Sequence, residues 1–258
     1  MRSPELLIAD SIGETFANYL KERTSDASGL FVSGGSTGPK LFGELVADNI
    51  VPTNFTSQLI AQVDERVVPI DSAESNYYWF RTDFLDHFQR QEAVVTDFRP
   101  MVDRDLSLKI SDLFSGRKVE GEPERHDTVL IAKLRQCAIE ITNGYEEFVH
   151  DYIENAVVHL GIGSDGHIAS LFPGSEALGS KRYVDINFDN TGLNKHLRTT
   201  LTFEALMKAR QVVIVVSGGA KAEIVHKVLR STDMPASKLL SRDTTWILDK
   251  EAARELAT

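Results

Sequence analysis

Apolar residues along the chain fall into short unbroken runs that end in glycine or charge. Between these runs the apolar positions recur three and four residues apart, the spacing of one helix face. The clearest run is Gln211-Val212-Val213-Ile214-Val215-Val216, β-branched and uninterrupted, which predicts a buried strand ending at Ser217-Gly218-Gly219. Gly29 to Ser33, Leu59 to Val63, Ala156 to Leu160 and Thr245 to Leu248 predict strands in the same way, and Glu92 to Phe98 predicts another, stopped by Pro100. Helices are predicted from Pro4 to Glu22, from about Pro39 through Val46, and from Ser75 to Phe88 with Ser75 or Asn76 as cap. A long helix is predicted from Thr128 into Glu154, divisible at Gly144. Two more follow, one after Gly219 running through Leu229 and a short one at the C-terminal end. Strands apolar throughout, alternating with helices, predict an α/β fold with a mostly parallel, doubly wound sheet covered by helices on both faces. No internal repeat and no linker-like shift in composition divides the chain, so residues 1–258 read as one domain. Gly116 to Asp127, dense in charge and holding two Gly and one Pro, reads as a solvated loop.

Composition narrows the class. With 258 residues, 42% hydrophobic and 26% charged, the chain can close a core without staples and is too apolar for disorder. No apolar run approaches the roughly 20 residues of a bilayer span. The first residues, broken by Asp10 and Glu14, do not resemble a secretory leader. The single Cys137 forbids an internal disulfide and a Cys-rich zinc site, and fits a reducing cytoplasm. Lys plus Arg number 28 against 38 Asp plus Glu, a net charge of −10, which argues against nucleic acid as a partner. An anionic small molecule is compatible only if a few cations are concentrated locally against that field.

In open α/β sheets ligands bind beyond the carboxyl ends of the strands, and there the chain concentrates its chemistry. Ser33-Gly34-Gly35-Ser36-Thr37-Gly38 lies between a strand and a helix. Such a turn offers backbone N–H groups and a helix N-terminus to an anion, or simply a turn with Ser36 or Thr37 as cap. Lys40 is not in a Gly-Lys-Ser/Thr context, so this is no Walker loop. Gly161-Ile162-Gly163-Ser164-Asp165-Gly166 matches a dinucleotide fingerprint, with Asp185 about 20 residues on. Pro173-Gly174 interrupts the helix such a fingerprint needs, and Asp165 and His167 intrude where a pyrophosphate would sit, so no cofactor is assigned. Asp165-Gly166-His167 is the sharper signal, because an imidazole at a sheet mouth beside a carboxylate can act as a general base near neutral pH. His87, His126, His150, His196 and His226 read as solvated, and His159 as a satisfied core residue. No metal-ligand spacing is present. Asp64-Glu65-Arg66 puts a guanidinium and two orienting carboxylates at one strand end, either as an anion site or as a surface ion cluster, and Arg198 and Lys221 are the other candidate cations. Tyr77, Tyr78 and Trp79 read as helix packing.

Taken in order, these segments resemble the 6-phosphogluconolactonase family. The resemblance rests on Ser33-Gly34-Gly35-Ser36-Thr37, on Asp64-Glu65-Arg66-Val67-Val68-Pro69 with Ser75-Asn76, and on Leu160 through Gly174. Arg198 with Thr200-Leu201-Thr202, Ser217-Gly218-Gly219-Ala220-Lys221, and Trp246 through Ala253 complete it. It spans nearly the whole chain. Gly38 stands where the family usually has Pro, no Pro follows Thr202 near Phe203-Glu204, and Val102 to Asp127 matches no pattern. The resemblance implies a Rossmann-like sugar-phosphate isomerase/lactonase fold and hydrolysis of 6-phospho-D-glucono-1,5-lactone to 6-phosphogluconate without a cofactor. It implies His167, Asp165 and Arg66 as catalytic residues, with Gly34, Gly35, Ser36, Thr37, Asp64, Arg198 and Lys221 binding substrate. A cytoplasmic enzyme, monomeric or weakly dimeric, is the corresponding expectation.

Two other functions are compatible with parts of the sequence. Amino-sugar phosphate deaminases or isomerases share Gly34-Gly35-Ser36-Thr37 and Asp165-Gly166-His167. They follow the His with an Ala-Phe-Asn-Glu type segment, whereas this chain has Ala169-Ser170-Leu171-Phe172-Pro173, without an acid, and Arg66 where they carry Tyr. A non-enzymatic sugar-phosphate sensor would usually carry a DNA-binding helix-turn-helix, and no basic N-terminal segment of that kind is present.

Overall fold

The computed structural model describes residues 3–35, 37–52, 58–90, 98–115, 128–187 and 196–256. In chain order the elements are β1 (Glu5–Ala9), α1 (Ile12–Arg23), β2 (Gly29–Val32), α2 (Gly38–Ala47), β3 (Leu59–Gln62) and β4 (Asp64–Arg66). Then come α3 (Asn76–Phe80), a π-helical turn (Arg81–Leu85), α4 (Asp86–Arg90), β5 (Phe98–Arg99), α5 (Arg104–Phe114), α6 (Thr128–Tyr152), β6 (Ala156–Leu160) and β7 (Val184–Asn187). The chain closes with β8 (Arg198–Leu201), α7 (Phe203–Lys208), β9 (Gln211–Val216), α8 (Ala222–Arg230), β10 (Thr245–Asp249) and α9 (Lys250–Ala253).

Seven strands form one sheet in the order β1-β10-β9-β6-β2-β3-β5, and every pairing in it is parallel. Its interior strands are apolar throughout because both faces are covered. On β9, Val212, Ile214 and Val216 join a core built with α5, α6, α7 and α8, while Val213 and Val215 face a second core built with α1, α2, the π turn and α4. The winding runs outward from a central pair: β2 leads to β3 and β5 on one side, and β6 leads to β9 and β10 on the other. The reversal lies between β2 and β6, where a crevice opens at the carboxyl ends.

The predicted architecture holds, with corrections in its parts. Glu5–Ala9 is the edge strand β1 rather than the start of a helix from Pro4. The helix begins after Ser11, whose hydroxyl accepts from the Glu14 amide at 3.1 Å. Ser11 and Glu14 are the first and fourth positions of a capping box, the signal that separates strand from helix here. α6 runs undivided through Gly144. Of the predicted Glu92–Phe98 strand only Phe98, the first residue of β5, lies among the described residues, and the charged segment 116–127 lies outside them.

A second sheet, β4-β8-β7, is antiparallel and was not anticipated. Val63 joins the two sheets: its amide donates to Val32 O at 3.0 Å, and its carbonyl accepts from Leu201 N at 2.8 Å. The chain therefore leaves the main sheet at the end of β3 and enters the small one as β4, beside the crevice.

Candidate active site

Five strands contribute to a cleft of about 580 Å³. Ser33, Gly34, Gly35 and Thr37 follow β2, Asp64 and Arg66 lie on β4, and Gly161 through Asp165, with His167, follow β6. Ala169, Arg198 on β8 and Lys221 after β9 complete the wall. Of the ten residues expected at the site, nine line this cleft, and Ser36 lies outside the described residues. The wall holds three cations and two carboxylates, a local positive surplus in a chain of net charge −10.

The Asp165–His167 pair is fixed from three sides. Asp165 Oδ1 lies 2.5 Å from His167 Nδ1 and also accepts from the His167 amide at 3.1 Å. Gly163 N donates to His167 O at 2.9 Å, and the Phe172 ring meets the imidazole edge-on at 4.8 Å between centroids. Gly166 takes φ of +80°, which turns the chain back between the pair. A β carbon at Gly163 would stand 2.1 Å from His167 Nδ1 and Cε1, so only glycine leaves room for the ring. Burial pushes the Asp165 carboxyl up, but the hydrogen bond and charge of His167 outweigh it and leave it below the usual carboxylate range. With Nδ1 bonded to an ionised carboxylate, Nε2 is the ring nitrogen left for chemistry. No full helix follows Gly166, which removes the dinucleotide interpretation of the glycine pattern.

Asp64 is the hub of a buried polar web. Its carboxylate accepts from Ser170 Oγ at 2.7 Å and Ser33 Oγ at 3.3 Å, and lies 3.8 Å from Arg198 Nη1. Thr200 Oγ1 accepts from Ser170 N at 3.1 Å, and Asn187 Nδ2 donates to Ser170 O at 2.5 Å. Asp64 thus ties the loop after β6 to both sheets and orients Arg198.

Glu65 points the other way and is fully buried. It accepts from Arg66 N (2.7 Å), Asn76 N (2.8 Å), Gln62 Nε2 (2.8 Å), Tyr77 N (2.9 Å) and Ser75 Oγ (2.9 Å). Burial pushes its carboxyl up against the pull of these donors. Ser75 caps α3, as anticipated, and Glu65 adds an anion at the same helix start. Glu65 therefore docks β4 onto α3 and presents the next residue, Arg66, to the cleft.

Arg66 Nη1 donates to Glu74 O at 2.5 Å and lies 3.8 Å from the Glu74 carboxylate. Lys221, at the start of α8, donates to Ile162 O at 2.9 Å, and burial lowers its pKa against the opposing charge of Asp165. Thr37 occupies the cap position of α2 but makes no side-chain cap bond, so its hydroxyl is not used in capping.

Two histidines differ from expectation. His196 is not solvated; its Nε2 lies 3.3 Å from Glu74 Oε2 at the cleft rim. His159 is buried between Phe16 and Phe42, and among the described residues neither ring nitrogen has a hydrogen-bond partner. Glu74 and His196 carry no motif of their own, and Ser170 and Thr200 lie in segments of the family resemblance with no role attached; the hydroxyls of Ser33 and Ser170 bracketing a buried Asp are visible only once the sheets are paired. Among the described residues no three His, Cys, Asp or Glu side chains gather as a metal site, and no helix is long and apolar enough to cross a membrane.

Comparison with known proteins identifies the family of the chain and its fold. Residues 5–247 match the family described as glucosamine-6-phosphate isomerases/6-phosphogluconolactonase. A protein of Mycobacterium leprae (strain TN) named 6-phosphogluconolactonase is 30% identical, over 88% of this chain and 84% of its own. A Rattus norvegicus protein of the same name is 28% identical, over 88% of this chain and 80% of its own. The solved structure of 6-phosphogluconolactonase from Trypanosoma cruzi superposes with a TM-score of 0.72 at 26% identity, covering 100% of this chain and 99% of that one.

Proposed function

The chain belongs to the glucosamine-6-phosphate isomerase/6-phosphogluconolactonase family, and from that membership we propose that it hydrolyses 6-phospho-D-glucono-1,5-lactone to 6-phospho-D-gluconate. The single observation that carries the proposal is the 2.5 Å contact between Asp165 Oδ1 and His167 Nδ1 at the mouth of a cation-lined cleft. It supports a base whose tautomer is set and whose second nitrogen is available.

In this mechanism His167 Nε2 takes a proton from water as the water oxygen bonds to lactone C1. Asp165 stabilises the imidazolium that forms. The carbonyl oxygen gains the negative charge, which the cations of the cleft offset. Collapse of the tetrahedral intermediate breaks the bond from C1 to the ring oxygen, and His167 returns the proton to that oxygen. The product acid ionises in solution. Water is the nucleophile and no electrons leave the substrate, so the reaction needs no redox group. The phosphate is held by Arg66 together with Gly34, Gly35, Ser36 and Thr37 at the start of α2, where the helix end favours an anion. Arg198 and Lys221, nearer Phe172 and Asp165 respectively, serve the reacting end. Every group invoked lies on one chain, so a monomer suffices.

The absence of an acid in Ala169 to Pro173 supports a lactonase over an amino-sugar deaminase, which needs a group to open the sugar ring. The test is turnover of freshly generated lactone, coupled to 6-phosphogluconate dehydrogenase and read as NADPH with the spontaneous rate subtracted. The protein is expected to accelerate lactone loss and to release no ammonia from glucosamine 6-phosphate. Background-level lactone loss would overturn the proposal, and ammonia release would replace it with the deaminase.

A further inference from the structure

Arg66 is held at the cleft by one residue on one side. Nη1 reaches the carbonyl and, at 3.8 Å, the carboxylate of Glu74, while Nε is buried with no hydrogen-bond partner among the described residues. Glu74 is itself substantially exposed, and a side chain of that kind does not fix a cation unless something fixes it. His196 does so. Its ring is mostly buried, and Nε2 lies 3.3 Å from Glu74 Oε2. His196 enters β8 two residues before Arg198, which pairs directly with Arg66 across the small sheet. The arrangement forms a chain of contact from His196 through Glu74 to Arg66.

The polarity of this contact follows from its surroundings. Burial lowers the His196 pKa, the Glu74 carboxylate opposes that, and the charges of Arg198 and Arg66 reinforce it. Burial and the two arginines thus favour the uncharged imidazole beside the Glu74 carboxylate, a contact that orients the carboxylate toward Arg66.

We propose that Glu74 and His196 are positioning residues that set the guanidinium of Arg66 for the substrate. The proposal rests on the lactonase function above. Neither residue touches substrate in it; both act through Arg66. A double-mutant cycle tests this, because residues that act through one another lose their separate effects when the shared partner is removed. Glu74→Gln keeps the backbone carbonyl and removes the charge. It is expected to lower kcat/KM about fivefold or more, and to change the same parameter, KM or kcat, that Arg66→Ala changes. His196→Ala is expected to lower kcat/KM about threefold, and His196→Gln, which keeps a donor, to recover most of the loss. In an Arg66→Ala background none of these substitutions should have a further effect.

Wild-type kinetics for Glu74→Gln, or an effect of equal size with and without Arg66, would overturn the proposal. If the wild-type protein turns over no lactone, the function itself has failed. The same cycle is then read as the affinity for inorganic phosphate by calorimetry, where independence of Glu74 and Arg66 would still overturn the positioning role.

Discussion

Arg66 and Arg198 stand directly opposite one another on the antiparallel strands β4 and β8. Opposed residues on such a pair project from the same face, and like charges there are destabilising. Each guanidinium has a carboxylate at 3.8 Å, Glu74 for Arg66 and Asp64 for Arg198, and both line the cleft. We read this opposition as suited to a charged substrate, since a phosphate at Arg66 and an oxyanion near Arg198 would each offset the repulsion.

Anion binding should therefore register as stability. Saturation with 6-phosphogluconate, at about 100 times its Kd, should stabilise the fold by about 2.7 kcal/mol. For a chain of this size that is a rise in Tm of roughly 5–10 °C. Arg66→Ala should abolish most of the rise. Differential scanning fluorimetry across a ligand titration checks it, and an equal rise in the variant would place the anion elsewhere.

Gly163 gives a sharper geometric test. A β carbon there would lie 2.1 Å from the His167 ring, so Gly163→Ala must displace the imidazole. The expected outcome is a loss of kcat of about 10²-fold or more, within the usual range for a general base, from a substitution that adds one methyl group and no charge. Circular dichroism should report a retained fold. A variant with wild-type kcat would mean that the ring position seen here is not the one used in catalysis.

His159 contributes to the loss of stability in acid. Burial alone pushes its pKa from 6.5 down to about 3, so between those values the unfolded chain binds a proton that the folded one does not. Stability is then full above about pH 6.5 and falls as pH drops, by up to about 1.4 kcal/mol per pH unit. His159→Leu should reduce the slope of this limb between pH 6.5 and 4.5 in urea unfolding. Asp249 acts in a lower window. Burial raises its carboxyl, but bonds from Ser217, Ala252, Lys40 and Gly218 hold it at about 2, so its contribution is lost only as pH falls from 3.8 toward that value. An unchanged slope above pH 4.5 in the Leu variant would contradict the assignment to His159.

The legibility of this molecule follows its chemistry. Strands β6 and β9 were predicted to the residue because a strand buried on both faces is a short, nearly continuous apolar run that ends at glycine or a polar turn. The glycine and charge clusters after β2, β6 and β9 marked the cleft because parallel sheets bind ligands at those ends. β1 was hidden because four apolar residues at a sheet edge, next to a helix, fit either period. The small sheet was hidden because polar residues interrupt its apolar pattern: Asp64, Glu65, Arg198, Thr199 and Thr200 are buried in it, and a contact such as Ser170 to Asp64 joins positions 106 apart. For the same reason Glu74 and His196 carried no signal. Their significance lies in their contacts with Arg66 and with each other, which only the folded strands create.

We propose His167, set by Asp165, as the general base of lactone hydrolysis. The most direct test compares kcat for lactone hydrolysis in the wild type and His167→Gln, with the 6-phosphogluconate affinity of each measured by calorimetry. The account predicts a fall in kcat of about 10²–10⁴-fold with affinity changed by no more than about threefold. A variant that binds product normally and retains wild-type kcat would contradict it.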